Sequence, residues 1–157
     1  MTALDLIDRK IVAQLMEDAT LPVARIAERV GLSQTPCWKR IQKLEASGVI
    51  ARRVALADPQ ALGLGLTVFV TLEAADQTPD WRARFCAAIE ASPEVMELWR
   101  VAGQGDYLLR LTLPDMARFD AFCTRLTAAV PIRKITSHMA LEPIKHTTAY
   151  PVDLQGP

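Results

Sequence analysis

Gly31 to Gly48, GLSQTPCWKRIQKLEASG, is the stretch on which the reading of this chain turns. Ser33 stands where a helix N-cap belongs: its hydroxyl can accept a bond from a first-turn backbone N–H, and Pro36 in that turn has no N–H to lose. Behind the cap, Cys37, Ile41 and Leu44 recur at helical spacing and can pack inward, leaving Gln34, Thr35, Trp38, Lys39, Gln42 and Lys43 on the other face. Gly48 supplies a left-handed stop. The outer face carries amides, hydroxyls and cations, the groups that read base edges and grip phosphates. A merely solvated helix face can look the same, so the segment in front of it matters. Pro22 to Val30, PVARIAERV, is short and amphipathic, with Ile26, Ala27 and Val30 on one side, and only Gly31 and Leu32 separate it from Ser33. Two short helices joined by a tight glycine turn make a helix-turn-helix, whose second helix enters the major groove. The same pattern also occurs in plain bundles.

Upstream, Leu4, Ile7, Ile11, Val12 and Leu15 follow a helical period, with Asp5 and Asp8 near the positive end of that helix, where carboxylates are favoured. This predicts the first helix of a three-helix unit. Its Arg9 and Lys10 are available for backbone phosphate or for solvent. Downstream, Val49 to Leu56, VIARRVAL, is β-prone and is expected to form a short wing or exit strand. The adjacent Arg52 and Arg53 can hold a phosphate or simply keep the surface soluble.

Charge is distributed in a way that favours the same surface. The chain of 157 residues has a formal net charge of zero, which argues against indiscriminate polyanion binding. Yet residues 1–57 hold nine Lys or Arg against six Asp or Glu, while 58–157 hold nine against twelve. Between Ser33 and Arg53 the balance is five (Lys39, Arg40, Lys43, Arg52, Arg53) against Glu45 alone. The positive field is focused on the predicted recognition helix.

Composition, with 50% hydrophobic and 23% charged residues, is that of an ordinary globular protein. The N-terminal MTALDLIDRK lacks a basic-then-apolar signal pattern, and no apolar run approaches the ~20 residues that span a bilayer, so a cytoplasmic protein is expected. The three cysteines, Cys37, Cys86 and Cys123, are far apart and have no C-x-x-C spacing. Neither a disulfide framework nor a zinc site is supported; packing is their expected role, with redox sensing the alternative.

Asp58 to Gly65, DPQALGLG, is rich in turn formers and marks a domain boundary. Beyond it, Leu66–Ala74 reads as a strand, Pro79–Ala91 as a helix, Val95–Ala102 and Tyr107–Leu113 as strands, Asp115–Val130 as a helix and Ile132–Leu141 as a strand. The two strand-helix-strand units stand about 40 residues apart. This order is the ferredoxin-like plan, an antiparallel sheet with both helices on one face. Phe69, Leu98, Leu109 and Leu111 are then available for the other face, whose simplest cover is a second copy of the same sheet. A dimer through this domain is expected. The predicted fold class is α+β: a winged helix-turn-helix domain (1–57), a linker (58–65), a ferredoxin-like domain (66–150) and a tail (151–157). The segment from Glu142, with His146, Thr147, Thr148 and Tyr150, can add a short extra strand.

A helix-turn-helix in front of a ferredoxin-like domain, carrying GLSQTPCWKRIQKLEASGVI, DPQALGLGL and WRVAGQGDYLLRL, resembles the leucine-responsive and asparagine-responsive (Lrp/AsnC, feast/famine) family of bacterial transcription regulators. The likeness runs from Leu4 to about Tyr150. It implies an N-terminal domain that binds double-stranded DNA and a C-terminal domain that binds a small amino acid, with dimers assembling into tetramers or octamers. By matching position, Ser33, Gln34, Thr35, Pro36, Trp38, Lys39, Arg40 and Lys43 correspond to the recognition helix, and Gly103, Gln104, Gly105 and Asp106 to the effector loop. Gly103 and Gly105 can take positive φ, letting backbone N–H groups converge on a carboxylate, while Asp106 can pair with an α-ammonium. Without the resemblance the same four residues read as a glycine-rich hairpin turn. Thr136, Ser137 and His138 can add polar contacts from a neighbouring subunit, although a lone histidine is more often structural. Two departures stand out: Pro22 replaces a polar helix cap, and Gly105 replaces a bulkier residue, implying a roomier or floppier pocket. TPCWKR, WRVAGQGDYLLRL and PIKHTT look most like the branch that responds to cysteine, making L-cysteine the first candidate effector.

The expectation is therefore a sequence-specific DNA-binding regulator, its Lys39, Arg40 and Lys43 on phosphates and its Gln34, Thr35 and Trp38 on bases. One rival is an effector-independent architectural DNA-binding protein. The other is a small ferredoxin-like enzyme, against which stands the lack of any Ser/His/Asp set, metal-ligand cluster or close acid pair in the sequence.

Overall fold

The structure is a computed structural model and describes residues 4–155. The first three residues and the last two of the expected tail lie outside the described residues. Three helices come first: α1 (Leu6–Glu17), α2 (Val23–Val30) and α3 (Gln34–Ala46). Asp5 caps α1, its carboxylate accepting a 2.7 Å bond from the Asp8 N–H. The α2–α3 turn closes at Gly31 in the left-handed region (φ 76°), and the Leu32 N–H returns to the Ala27 carbonyl at 2.9 Å. Leu32 folds inward with it. Ile11, Leu15, Ile26, Ala27, Val30, Cys37, Ile41 and Leu44 form one buried cluster, the apolar stripes expected of the three helices.

Ser33 occupies the N-cap of α3, but its hydroxyl accepts no capping bond. The reason is local: the third residue of the helix is Pro36, so the N–H that a cap most often engages is missing. Val49–Leu56 is extended yet belongs to no strand among the described residues, which corrects the expected wing. Its β-prone residues find no ladder among the described residues, and Arg53 is drawn back to Glu45 (2.8 Å).

The second unit carries β1 (Leu66–Ala74), α4 (Pro79–Glu90), β2 (Val95–Arg100), β3 (Tyr107–Leu113), α5 (Met116–Ala129) and β4 (Ile132–Met139). The described chain divides into two compact units, one of the residues up to Ala55 with the segment from Ile144 onward, the other of Leu56–Pro143. The sheet order is β2-β3-β1-β4 with every pair antiparallel. Both helices pack on one face: Trp81, Phe85 and Ile89 from α4 and Phe119, Phe122 and Leu126 from α5 meet Val68, Val70, Leu72, Leu109 and Leu111. Trp81 stacks on Phe85 with centroids 4.9 Å apart, and its indole N–H donates to the Pro131 carbonyl at 2.7 Å. Cys37 is buried and Cys86 and Cys123 are half-buried, the latter two packed on the sheet core.

Register corrects the predicted outer face. Leu109 pairs with Val70 and Leu111 with Val68, so both side chains point to the helices, and Leu98, opposite Leu109, joins them. Phe69 stands on the open face as expected, joined there by Leu108 and Trp99, with Thr71 and Thr136, and the ion pairs Arg110–Glu97 (2.6 Å) and Lys134–Glu73 (3.8 Å). The expected extra strand in the tail is absent among the described residues: Ala140 still donates its N–H to the Thr67 carbonyl (2.9 Å), and residues 141–155 belong to no strand.

Candidate nucleic-acid interface and effector cleft

On α3, Gln34, Thr35, Pro36, Lys39, Gln42 and Lys43 are exposed, and Trp38 keeps 51% of its surface in solvent. A large aromatic left this wet is costly unless something covers it. The uncapped Ser33 hydroxyl and the free N–H groups of the first turn lie at the positive end of the helix, the arrangement that receives anions. Lys39, Lys43 and Arg52 have no acidic partner among the described residues, so their charge stays available to phosphate.

Arg40 behaves otherwise. It is half-buried, and its Nη1 donates to Asp5 Oδ2 at 2.6 Å and to Asp8 Oδ1 at 2.7 Å. The expected phosphate contact is thus spent on tying the recognition helix to the start of α1. The reason is its place on the wheel: Arg40 is one turn from Cys37 and from Leu44, on the border of the buried stripe. The Asp5 carboxyl is held below its ordinary value by the Asp8 backbone N–H first and by Arg40 second, and the two acids raise Arg40 in turn. Arg53 is similarly engaged, by Glu45 and by the Ala19 carbonyl. Burial pushes the Cys37 thiol up, so it is a packed, unreactive group.

In the second unit the Gly103–Asp106 loop lies beside the end of β1. Gly103 (φ 132°) and Gly105 (φ 85°) both take backbone conformations that favour glycine. Gly105 corrects the roomy or floppy loop expected from its lack of a side chain. A Cβ there would stand 2.3 Å from the Thr71 methyl and 3.1 Å from the Leu72 carbonyl, so the loop is pressed on β1. Asp106 fastens it: its N–H donates to Leu72 O (2.7 Å), Oδ2 accepts from the Ala74 N–H (2.8 Å), and Oδ1 accepts from the Gln77 amide (2.9 Å).

These residues line an open cleft of about 470 Å³ with Glu73, Asp76, Gln77 and Arg133. Glu73, Asp76, Gln77 and Arg133 escaped sequence reasoning, because nothing in local spacing brings a residue 29 positions away to Asp106. Gln104 does not line the cleft, and neither do Thr136 and Ser137, which lie on β4 opposite Thr71 and Val70. No group of three His, Cys, Asp or Glu suited to a metal occurs among the described residues, nor any helix long and apolar enough to cross a membrane.

Comparison with known proteins gives these two surfaces a common context. The AsnC-type helix-turn-helix domain matches residues 4–45, and the Lrp/AsnC ligand binding domain matches residues 67–150. The DNA-binding transcriptional activator DecR of Escherichia coli is 45% identical over 151 residues, covering 96% of this chain and 99% of that protein. Among solved structures, an AsnC family transcriptional regulator from Agrobacterium tumefaciens superposes with a TM-score of 0.89 at 49% identity, covering 94% of this chain and 97% of the other. A transcriptional regulator of Neisseria meningitidis, solved as a complex with L-Met, superposes at 0.90 with 34% identity, covering 95% and 97%. All are regulators rather than enzymes, and their likeness spans both units. This chain therefore belongs to the Lrp/AsnC family: it is a DNA-binding transcriptional regulator with an amino-acid-binding domain.

Proposed function

We propose that residues 1–57 form the DNA-binding domain, that 58–65 connect it to an effector and oligomerisation domain over 66–150, and that 151–157 are a tail. Two copies present their α3 helices to successive major grooves of a pseudo-palindromic site. Gln34, Thr35 and Trp38 touch bases. Ser33, Lys39, Lys43 and Arg52 grip phosphate, with Pro36 leaving the first turn open to it and Arg53 beside them. Arg40 serves by holding the helix to Asp5 and Asp8. The single observation that carries this reading is the outward face of α3, where Trp38, Lys39 and Lys43 are all exposed.

The regulated step is amino-acid binding at the Gly103–Asp106 cleft, with Asp106 and Arg133 as charged partners for the two ends of a zwitterion, and with Thr136 and Ser137 contributed by a neighbouring subunit. L-Cysteine is the first candidate, on the likeness to the cysteine-responsive branch. The open sheet face, with Phe69, Leu108 and Trp99, supports a homodimer that assembles further into a tetramer or octamer. Binding there changes assembly geometry, hence which DNA sites are occupied together, inside the cytoplasm.

Gel-shift titrations on a bound operator and a mismatched copy test the DNA half. Gln34→Ala relaxes preference at one base position, by about 1–3 kcal/mol, and equal losses on both operators would remove it from base reading. Calorimetry with the common amino acids tests the other half. An effector-independent architectural protein gives no heat with any of them.

A further inference from the structure

Asp106 stands between two hollows. On one side is the 470 Å³ cleft with Arg133. On the other is a smaller, more enclosed hollow of about 60 Å³, lined by Gln77, Trp81, Arg82, Arg100, Asp106 and Tyr107. The two share Gln77 and Asp106, whose side chains are joined by a 2.9 Å hydrogen bond.

The two bonds to the Asp106 carboxylate are unequal in kind. Oδ2 is fixed by a part-buried backbone N–H, whereas Oδ1 is held by an exposed, neutral side-chain amide. An α-ammonium there adds the attraction of two opposite charges to the hydrogen bond, which the neutral Gln77 amide does not supply. It can therefore take the place of Gln77 while leaving the loop fastened to Ala74. Displacing Gln77 joins the hollows.

The small hollow then meets whatever extends from the ligand. It is much smaller than the neighbouring cleft, and a small polar group such as an acid fits its dimensions. The buried rings of Trp81 and Tyr107 share its lining with Gln77, Asp106 and the two arginines Arg82 and Arg100. Arg82 and Arg100 border it with no carboxylate partner among the described residues, although Arg84, Arg110 and Arg125 in the same unit are each paired to one. Two guanidiniums against the single Asp106 carboxylate leave the lining of the hollow net positive, which favours an anion.

We propose that the preferred effector is an α-amino acid with an anionic side chain, whose ammonium displaces Gln77 from Asp106 and whose side-chain acid lies between Arg82 and Arg100. This rests on the reading of the cleft as an amino-acid site and adds the class of ligand, replacing the L-cysteine that the likeness alone suggests. Gln77 is then the gate, and the two arginines determine specificity.

Calorimetry on the full chain compares L-aspartate, L-glutamate and L-cysteine sulfinate with L-asparagine, L-glutamine and L-cysteine. At least one acid binds about tenfold or more tightly than its neutral counterpart, as a hydrogen bond between charged partners implies. An Arg82→Gln, Arg100→Gln double variant loses that preference and keeps its affinity for the neutral member. Neutral amino acids binding as well as, or better than, the acids overturn the proposal while leaving the amino-acid site intact. Silence with all six overturns the proposal, and calorimetry with the remaining common amino acids then decides whether the cleft is an amino-acid site at all. The wild-type comparison decides the matter even if the double variant fails to fold.

Discussion

Replacing Arg40 by alanine isolates the contact on which the orientation of the recognition helix depends. Asp8 retains only 9% of its side-chain surface in solvent and Arg40 34%, so removing the guanidinium strands a nearly buried carboxylate. A buried polar group left without its partner costs about 1–3 kcal/mol. The link to Asp5, which is 52% exposed, adds no more than the ~0–1 kcal/mol of a surface pair. The expected loss is about 2 kcal/mol, a large share of the stability of a small domain. Native-state hydrogen exchange at the amides of Ile11, Ile41 and Leu44 reads the opening free energy of this unit without interference from the sheet. A double-mutant cycle then apportions the effect, with coupling of about 1–2 kcal/mol between Arg40 and Asp8 and less between Arg40 and Asp5. A loss below about 0.5 kcal/mol, the size of an indifferent surface change, or no coupling to Asp8, would refute the reasoning.

Other consequences are open to direct measurement. Because the folded-state pKa of Asp5 is depressed, its contribution is present above its ordinary value of 3.8 and is lost as pH falls through the lower folded value. Acid titration of the exchange rates in α1 should therefore steepen below about pH 4 in the wild type, and less so in Asp5→Ala. Gly105→Ala should destabilise the sheet unit by about 1–3 kcal/mol, seen as a lowered Tm, since its Cβ meets Thr71 and its backbone lies at φ 85°. An unchanged Tm would mean the loop is not pressed on β1. Asp106→Asn keeps an acceptor for the Ala74 N–H but removes the charge, so amino-acid heats in calorimetry should vanish while the circular dichroism spectrum is kept.

Legibility in the sequence followed the range of the forces involved. The three N-terminal helices, their glycine turn and the strand-helix order could be read because apolar periodicity and left-handed glycines are local signals. The faces of the sheet could not. Tyr107–Leu113, YLLRLTL, puts leucines on both sides of the strand, and only the pairing of Leu109 with Val70 decides which of them is inside. The wing failed for a related reason: Val49–Leu56 has the composition of a strand, but a strand exists only with a partner. At the candidate sites, the exposed residues of α3 followed from the helical wheel, whereas Arg40 sat on the border of the buried stripe, where the wheel does not choose between acid and solvent. Asp106 was legible as a loop acid. Its partners Ala74 and Gln77, and the arginines around them, come from β1, the loop that follows it, α4, β2 and β4 and meet only in the folded sheet.

The central claim is that the outward face of α3 lies against duplex. Fluorescence anisotropy of the full chain on a labelled operator, titrated at several salt concentrations, tests it most directly. The account predicts affinity that falls steeply with salt, and a log–log slope that drops by about one for each of Lys39→Ala and Lys43→Ala. Slopes unchanged by both substitutions, or no binding to promoter fragments even at low salt, would contradict it.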